Sequence, residues 1–129
     1  MTSVKGGRHI ALIVEDEPAV RDLAAMLFEE AGFAVAGVET AEAAVGFMER
    51  KGGEVALIFT DIRLAGLMDG IDLARVVAKL WPATKLVVTS GFGETQLERL
   101  PKVATYMPKP WRALDVLTAA DMTDRPTAH

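Results

Sequence analysis

The chain has 129 residues, half of them hydrophobic, and a formal net charge of −4. A chain of this length is one domain by default and buries enough surface for a real core. It has no cysteine, which excludes disulfides, thiolate catalysis and zinc sites built on cysteine. Its mild acidity gives no support to nucleic-acid or anionic-membrane binding, and we expect neither partner.

The polar ends of the chain flank a long stretch in which apolar runs and helical patterns alternate. Residues 1–7 predict a flexible leader without the apolar segment of a signal peptide, and residues 121–129 predict a polar tail. No apolar run approaches the ~18 residues that a membrane-spanning helix needs. We therefore expect a cytoplasmic protein with a single domain over residues 8–120.

Hydrophobic periodicity divides the first half of the chain into three strands and two helices. The continuous apolar run Ile10–Val14 is typical of a strand that is buried on both faces of a parallel sheet. Pro18 favours the start of a helix, and Thr40 is a predicted helix N-cap. Strands are thus predicted over 10–14, 33–38 and 55–59, and helices over 18–31 and 41–50.

The second half repeats the pattern with one weak element. Asp69 is a predicted N-cap for a helix that ends at Pro82, whereas residues 93–100 are a poor helix candidate because they are few and Pro101 closes them. Strands are predicted over 86–88 and 103–107, and a last helix over 111–120. Five strands that alternate with helices predict an α/β fold of the flavodoxin-like type, a doubly wound parallel sheet with strand order 2-1-3-4-5.

Most of the chemically active side chains follow the carboxyl ends of the predicted strands, where ligands bind in sheets of this kind. The first and third strands are neighbours in the expected order, so the carboxylates of Asp16 and Asp61 should face each other. The residues at the strand ends are Glu15, Asp16, Asp61, Thr89, Ser90 and Lys109.

Carboxylates that crowd together repel one another, and their pKa values rise unless a cation lies among them. Mg²⁺ is the natural partner because it prefers oxygen ligands, takes few of them from protein and often shares a phosphate. Lys109 adds an ammonium group, and Thr89 adds a hydroxyl donor. The set predicts a phosphoryl site in which a carboxylate is the candidate nucleophile.

Four motifs at these strand ends resemble those of one known family. VEDEP, FTDIRLAGLMDG, VVTSG and YMPKP, in this order, are similar to the motifs of the receiver domain of bacterial two-component response regulators, the CheY-like family. The resemblance covers residues 8–120. It implies that Asp61 accepts a phosphoryl group from a phosphohistidine on a histidine kinase or a histidine phosphotransfer domain.

The resemblance also implies a set of metal ligands. Asp16, Asp61 and the backbone carbonyl of Arg63 would bind Mg²⁺ directly, and Glu15 would act mainly through water. Each of these groups offers oxygen, in keeping with the preference of Mg²⁺.

The remaining roles implied by the resemblance concern the phosphoryl group. Lys109 would pair with its oxygens and would be joined to Pro110 by a cis bond. Thr89 would turn toward the phosphoryl group, and Tyr106 would follow as a rotameric switch. The residues expected to flank the site or to modulate the phosphoryl lifetime are Arg63, Ser90 and Gly91.

Several features depart from the family pattern. Ala65 stands where the loop after Asp61 usually carries a proline, that loop is longer than usual, and Trp111 replaces the usual phenylalanine. The segment between the fourth and fifth strands is short, although the family builds part of its output face there. We expect residues 91–102 to be the most mobile ordered segment.

Other interpretations stay open at this point. The acidic run could be a set of helix-capping charges, and Tyr106 is balanced between plain packing and switching. An aspartate-nucleophile phosphatase would want a second acid where Arg63 stands, and a flavin or nucleotide binder would want a glycine- or hydroxyl-rich loop in place of EDEP. A receiver fold could also serve as an unphosphorylated scaffold.

The four motifs together favour a stand-alone receiver domain, which is a phosphorylatable switch and not an enzyme. Its conformation would shift on Mg²⁺-dependent phosphorylation, and the signal would leave through a phosphorelay or by contact with an unknown downstream protein. The alternative within the same family is a receiver fragment of a hybrid histidine kinase.

Overall fold

The computed structural model describes residues 7–91 and 93–121. The predicted leader, apart from Gly7, and the predicted tail, apart from Asp121, lie outside the described residues. The strands are β1 (Ile10–Val14), β2 (Ala34–Val38), β3 (Val55–Asp61), β4 (Lys85–Ser90) and β5 (Thr105–Pro108). The α-helices among the described residues are α1 (Pro18–Glu30), α2 (Ala41–Lys51), α3 (Gly70–Leu80) and α4 (Ala113–Asp121).

The five strands form one parallel sheet in the order β2-β1-β3-β4-β5, which confirms the predicted flavodoxin-like fold. Helices α1 and α4 cover one face and α2 and α3 the other. Alternate residues of each strand enter opposite cores, so Val87 joins the α1/α4 core and Val88 joins the α2/α3 core. No helix in the described ranges is long and apolar enough to cross a lipid bilayer.

Aromatic rings fill the α1/α4 core. The Phe28 and Phe59 rings meet edge to face with centroids 5.5 Å apart, and Phe59 meets Trp111 in the same way at 5.6 Å. Full burial of one such apolar side chain contributes about 1.5–3 kcal/mol. Trp111, which departs from the family pattern, therefore acts as a packing residue beneath the carboxyl edge of the sheet.

Two strands run further than predicted. β3 continues through Thr60 and Asp61, and β4 continues through Thr89 and Ser90. The parallel ladder pairs Asp61 with Thr89, and the Ile62 amide donates to the Thr89 carbonyl over 2.9 Å. A prediction from side-chain polarity ends these strands too early, because backbone pairing between the strands continues through residues whose side chains are polar.

The predicted helix caps at Thr40 and Asp69 are confirmed. Thr40 Oγ1 accepts a hydrogen bond from the Ala43 amide over 3.0 Å. Asp69 and Asp72 form a capping box, in which each side chain accepts from the backbone amide of the other. Such a cap contributes about 1 kcal/mol, so the start of each helix is well defined.

The last strand and the last helix begin later than predicted. β5 covers 105–108 in place of 103–107, because the Ala104 amide donates to the Pro101 carbonyl over 3.0 Å and closes a turn before the strand. α4 begins at Ala113 in place of residue 111, because the Arg112 amide donates to Asp115 Oδ2 over 2.7 Å at the helix start.

The segment between β4 and β5 holds no α-helix in its described residues, only the 3₁₀ turn Leu97–Arg99. Polar contacts tie it to the body of the domain. Arg63 contacts Glu94 at 3.1 Å, and Arg99 contacts Asp72 at 3.1 Å. Its apolar side chains that pack against the α2/α3 core are Leu97, Leu100 and Ala104. The high mobility expected of this segment stays a prediction, and these anchors oppose it.

Candidate functional site

The carboxyl ends of β1, β3 and β5 bring an ammonium group to two carboxylates. Lys109 Nζ lies 2.8 Å from Asp61 Oδ2 and 3.8 Å from Glu15 Oε1. The side chains of Glu15 and Asp61 are nearly buried, whereas Lys109 is partly exposed. The Lys109 amide donates to the Ser90 carbonyl over 2.8 Å, and the bond to Pro110 is cis, as expected. The result is a shielded acidic pair with a cation held at its rim.

The charges at this edge shift the pKa values of two groups. Burial raises the pKa of Glu15 above its ordinary 4.5; Asp61 and Asp16 add to this rise, and the Glu17 amide and Lys109 oppose it. Burial acts to lower the pKa of Lys109, but its hydrogen bond and charge interaction with Asp61 prevail and raise that pKa above 10.5. Lys109 is therefore firmly protonated, and the site carries excess negative charge.

The acidic turn is held by an arginine that the sequence analysis missed. Arg21 Nη1 on α1 donates to the Glu15 carbonyl over 2.8 Å, and the Glu17 amide donates to Glu15 Oε2 over 3.1 Å. A Cβ on Gly37 would lie 3.1 Å from Arg21 Cδ, so the missing side chain on β2 leaves room for the arginine stem. No sequence pattern predicts this contact, because it depends on how α1 packs beside β2.

The N-terminus of α3 packs directly against the end of β3. The Gly70 amide donates to the Ile62 carbonyl over 2.8 Å. A Cβ on Gly70 would lie 2.8 Å from Ile62 Cα and closer still to the Asp61 carbonyl oxygen, so no side chain fits there. The Arg63 amide donates to Asp61 Oδ1 over 3.3 Å. Asp69 predicted the helix start, but no sequence pattern predicted this close approach at Gly70.

Thr89 and Ser90 end β4 and point to opposite faces of the sheet. Thr89 is the register partner of Asp61, and its buried Oγ1 has no hydrogen-bond partner within the part of the chain that the structure describes. Ser90 Oγ lies 2.8 Å from the hydroxyl of the half-buried Tyr106 on β5. The Thr89 hydroxyl therefore lies next to the acidic pair, and the following residue, Ser90, contacts the Tyr106 hydroxyl.

The loop that follows β3 is tied down by α2. Glu42 Oε2 accepts hydrogen bonds from the amides of Leu67 and Met68 over 2.9 and 3.0 Å. Its own amide and these two lower the pKa of Glu42 below its ordinary 4.5, so the carboxylate stays ionised. Gly66 has a φ of +100°, a left-handed conformation that favours glycine. This anchor holds the loop although Ala65 stands where a proline is usual.

The remaining predicted site residues lie around this centre. Asp16 is exposed and acts on the pKa of Glu15, Gly91 is exposed at the end of β4, and the Arg63 side chain contacts Glu94. The four residues whose side chains meet at the centre or border it are Glu15, Asp61, Thr89 and Lys109.

A model of the response regulator receiver domain family matches residues 11–121, which is most of the chain. The chain belongs to this family. The resemblance seen in the four sequence motifs is therefore confirmed, and the chain is a receiver domain of the two-component signalling type.

Relatives of this receiver domain occur within larger proteins. The chain is 33% identical over 115 residues to the sensor kinase CckA of Brucella abortus, a match that covers 87% of the chain and 12% of the relative. It is 32% identical over 109 residues to the nitrogen assimilation regulatory protein NtrX of Azorhizobium caulinodans, covering 81% of the chain and 24% of the relative. The chain thus spans a small part of the length of these curated relatives.

Solved structures have the same architecture. The receiver domain of NtrX from Brucella abortus aligns with a TM-score of 0.74 and 26% identity, over 86% of this chain and 94% of that one. A response regulator receiver protein from Sinorhizobium medicae aligns with a TM-score of 0.79 over 89% of this chain and 93% of that one; its 24% identity shows the fold alone.

The acidic edge of this receiver domain fits Mg²⁺ in the chemistry of its donors. Among the described residues no group of three or more His, Cys, Asp or Glu side chains is arranged to hold a metal ion, and Asp16 is exposed. Mg²⁺ needs less, because it takes one or two carboxylates and keeps several waters. Asp16, Asp61 and the Arg63 carbonyl all offer oxygen. Burial raises the pKa of Glu15 and the charge of Asp61 adds to the rise, so the two carboxylates repel each other and a cation beside them would relieve that repulsion.

Proposed function

We propose that this receiver domain accepts a phosphoryl group on Asp61 from the phosphohistidine of a histidine kinase or a histidine phosphotransfer domain. The observation that carries the proposal is the 2.8 Å contact between Lys109 Nζ and Asp61 Oδ2. An ammonium group held in this position offsets the negative charge that arrives with the phosphoryl oxygens. Membership of the receiver family supports the same assignment.

In the proposed reaction an Asp61 carboxylate oxygen attacks the phosphorus atom, and the bond from phosphorus to the donor imidazole nitrogen breaks. The imidazole leaves with the electron pair of that bond and takes up a proton. Lys109 remains beside the transferred group, and the Thr89 hydroxyl, which has no partner in the described part of the chain, gains an acceptor. The domain therefore acts as a phosphorylatable switch that catalyses only its own phosphorylation and dephosphorylation.

We assign the Mg²⁺ site to Asp16, Asp61 and the carbonyl of Arg63, with Glu15 acting through water. When bound, Mg²⁺ supplies positive charge that shields the phosphoryl oxygens from the surrounding carboxylates. The Arg21 contact to the Glu15 carbonyl supports this assignment, because it keeps the acidic turn at the edge of the sheet.

The cavity beside the site is the proposed binding site for the protein that donates the phosphoryl group from its phosphohistidine. It has a volume of about 500 Å³ and lies between the start of α1 and the segment that leads into α4. Apolar Val20, Leu23 and Trp111 line it, and Lys109 stands at its border. An apolar surface next to a charged acceptor suits an amphipathic helix that carries the histidine.

We further propose that residues 8–120 form the receiver unit, in the cytoplasm, and that the signal passes to a downstream protein by contact. Thr89 would respond to the phosphoryl group, and Tyr106 would follow. Ser90 supports this order, because it lies next to Thr89 and bonds the Tyr106 hydroxyl. Arg63 and Gly91 would modulate the lifetime of the phosphoryl group.

The decisive experiment is incubation with acetyl phosphate and Mg²⁺, followed by intact-mass measurement. We expect one added phosphoryl group in the wild type, and none in Asp61→Asn or in the presence of a chelator. Asp69→Asn is the matched control, since asparagine also caps helices well and Asp69 lies in the loop outside the site. It should be phosphorylated normally.

Two results would replace the proposal. A wild-type protein that stays unmodified under these conditions would favour a receiver fold used as an unphosphorylated scaffold. Sustained release of phosphate from a phosphate monoester, over many turnovers, would favour the aspartate-nucleophile phosphatase. The absence of an acid at the position of Arg63 opposes the second outcome.

A further inference from the structure

An ion pair joins the loop after β3 to the segment after β4. Arg63 stands two positions after Asp61 and directs its guanidinium group to Glu94. Nε lies 3.1 Å from Oε1, and Nη2 lies 3.4 Å from Oε2, which is a two-pronged contact. We call this pair the Arg63–Glu94 clasp. The phosphoryl-transfer chemistry described above makes no use of it.

Glu94 is well placed to organise its segment. Its side chain is only 3% exposed, although the segment lies at the surface of the domain. The same carboxylate accepts a hydrogen bond from the Gln96 amide over 3.3 Å, so it connects Arg63 to the turn that follows. A carboxylate buried to this degree becomes costly once its cation leaves. The local conformation of the segment therefore depends on Arg63.

Arg63 is also positioned near a stronger ligand. Its amide donates to Asp61 Oδ1 over 3.3 Å, which puts the residue next to any group that Asp61 carries. A phosphoryl group there would bring a charge of about −2 and three acceptor oxygens, more than the single negative charge of Glu94. Guanidinium groups bind phosphate oxygens in the same two-pronged way as carboxylates. The Arg63 side chain is 67% exposed and has room to turn.

We propose that Arg63 exchanges Glu94 for the phosphoryl group on Asp61, and that this exchange opens the clasp and loosens the segment that begins at Gly93. The inference rests on the proposed phosphorylation of Asp61. It makes Glu94 a positioning residue, which holds Arg63 away from the acceptor until the phosphoryl group arrives.

The loosening is confined to the first part of the segment, because a second set of contacts holds the rest. Arg99 pairs with Asp72 on α3, and Arg75 Nη1 donates to the Arg99 carbonyl over 3.0 Å. These contacts do not involve Arg63, and Arg99 Nη1 also donates to the side-chain oxygen of Gln96 over 2.7 Å. Opening of the clasp therefore changes order between Gly93 and Gln96 and leaves the 3₁₀ turn in place.

The test is amide hydrogen exchange, read residue by residue by NMR, before and after phosphorylation with acetyl phosphate and Mg²⁺. The extent of phosphorylation is read from the intact mass of the same samples. The Gln96 amide reports on the clasp, and the amides of Arg99 and Leu100 report on the 3₁₀ turn. We expect phosphorylation to speed exchange at Gln96 about fivefold, the effect of one partly exposed ion pair, and to leave the turn amides unchanged.

Two variants separate the clasp from its neighbours. In Glu94→Gln the side chain keeps its shape but loses its charge, so Gln96 should exchange in the unphosphorylated protein as fast as in the phosphorylated wild type. Phosphorylation should then add no further change. Arg75→Gln removes a tether of the same segment that does not touch Gln96, the hydrogen bond to the Arg99 carbonyl, and should keep the phosphorylation-dependent change at Gln96.

The results distinguish the inference from the function on which it rests. A phosphorylated wild type whose Gln96 amide exchanges at the unphosphorylated rate overturns the inference and leaves the phosphoacceptor role intact. A loss of the response in Arg75→Gln equal to that in Glu94→Gln also overturns it, because the segment would then respond as a whole. A protein that takes up no phosphoryl group overturns both.

Discussion

Gly70→Ala adds one methyl group at the contact between α3 and β3, the strand that carries the proposed phosphoacceptor Asp61. The new Cβ would lie 2.8 Å from Ile62 Cα and nearer still to the Asp61 carbonyl oxygen, whereas ordinary contact begins at 3.4 Å. The obstructing atoms belong to the backbone, so they cannot turn aside as the end of a flexible side chain would. The start of α3 and the end of β3 must therefore move apart.

The magnitude follows from three contributions. Overpacking of a close-packed site costs about 1–3 kcal/mol. Loss of the hydrogen bond from the Gly70 amide to the Ile62 carbonyl costs about 1 kcal/mol, and the better helix propensity of alanine returns a similar amount. We expect the free energy of unfolding, measured by urea denaturation, to fall by about 2 kcal/mol. Phosphorylation by acetyl phosphate should also slow, because the Asp61 backbone is displaced.

Gly46→Ala in α2 is the matched control. The nearest atom to its added Cβ is Arg50 Nη1, at 3.5 Å and at the end of a flexible side chain. This change should raise the free energy of unfolding by up to about 1 kcal/mol, opposite in sign to Gly70→Ala. A Gly70→Ala protein with wild-type stability and a wild-type phosphorylation rate would refute the reasoning.

Three further substitutions test the acidic edge and the switch. Burial, with Asp61 adding to it, raises the pKa of Glu15 above its ordinary 4.5, so the folded state binds the proton more tightly and stability falls as the pH rises above 4.5. In the absence of Mg²⁺, Glu15→Gln should therefore raise the midpoint of urea denaturation near neutral pH. Below pH 4.5 the substitution should leave the midpoint unchanged. A lower midpoint near neutral pH would contradict this reasoning. Thr89→Val removes a buried hydroxyl that has no partner among the described residues, so it should raise the free energy of unfolding by about 1 kcal/mol. It should also abolish the response of Tyr106 to phosphorylation. A destabilised variant would show that the hydroxyl has a partner in solution. Ser90→Ala should leave phosphorylation intact. Tyr106 is the single tyrosine of the chain, so in an unphosphorylated protein labelled with fluorotyrosine the substitution should shift the resonance of Tyr106. An unchanged resonance would rule out the hydrogen bond between Ser90 and Tyr106.

The convergence of the main site residues was predictable, because a parallel sheet brings every carboxyl strand end to one edge. Glu15, Asp61 and Lys109 meet there, whereas Asp16, which was expected to face Asp61, is exposed. The apolar run Ile10–Val14 was equally informative, since a strand buried on both faces cannot alternate between polar and apolar residues. Local chemistry also sufficed for the cap at Thr40, which satisfies an amide three residues away.

The supporting contacts were not predictable, because they depend on how whole elements pack. Glu42 reaches the amide of Leu67, 25 positions along the chain, and Arg63 reaches Glu94 across 31 positions. Neither acidic residue differs from an ordinary surface glutamate in its sequence surroundings. The sequence marks the helix start at Asp69. Only the packing of α3 on β3 shows why a side chain at Gly70 is excluded.

Thr89 and Ser90 are consecutive, yet their side chains lie on opposite faces of the sheet. Thr89 faces the acidic edge, whereas Ser90 hydrogen-bonds Tyr106 on the neighbouring strand. A single peptide unit therefore separates Thr89, beside the proposed phosphorylation site, from Ser90, which contacts the proposed switch residue Tyr106. If phosphorylation of Asp61 draws in Thr89 as proposed, a shift of this peptide unit would carry the change to Ser90 and Tyr106 on the opposite face of the sheet, and no helix would need to move.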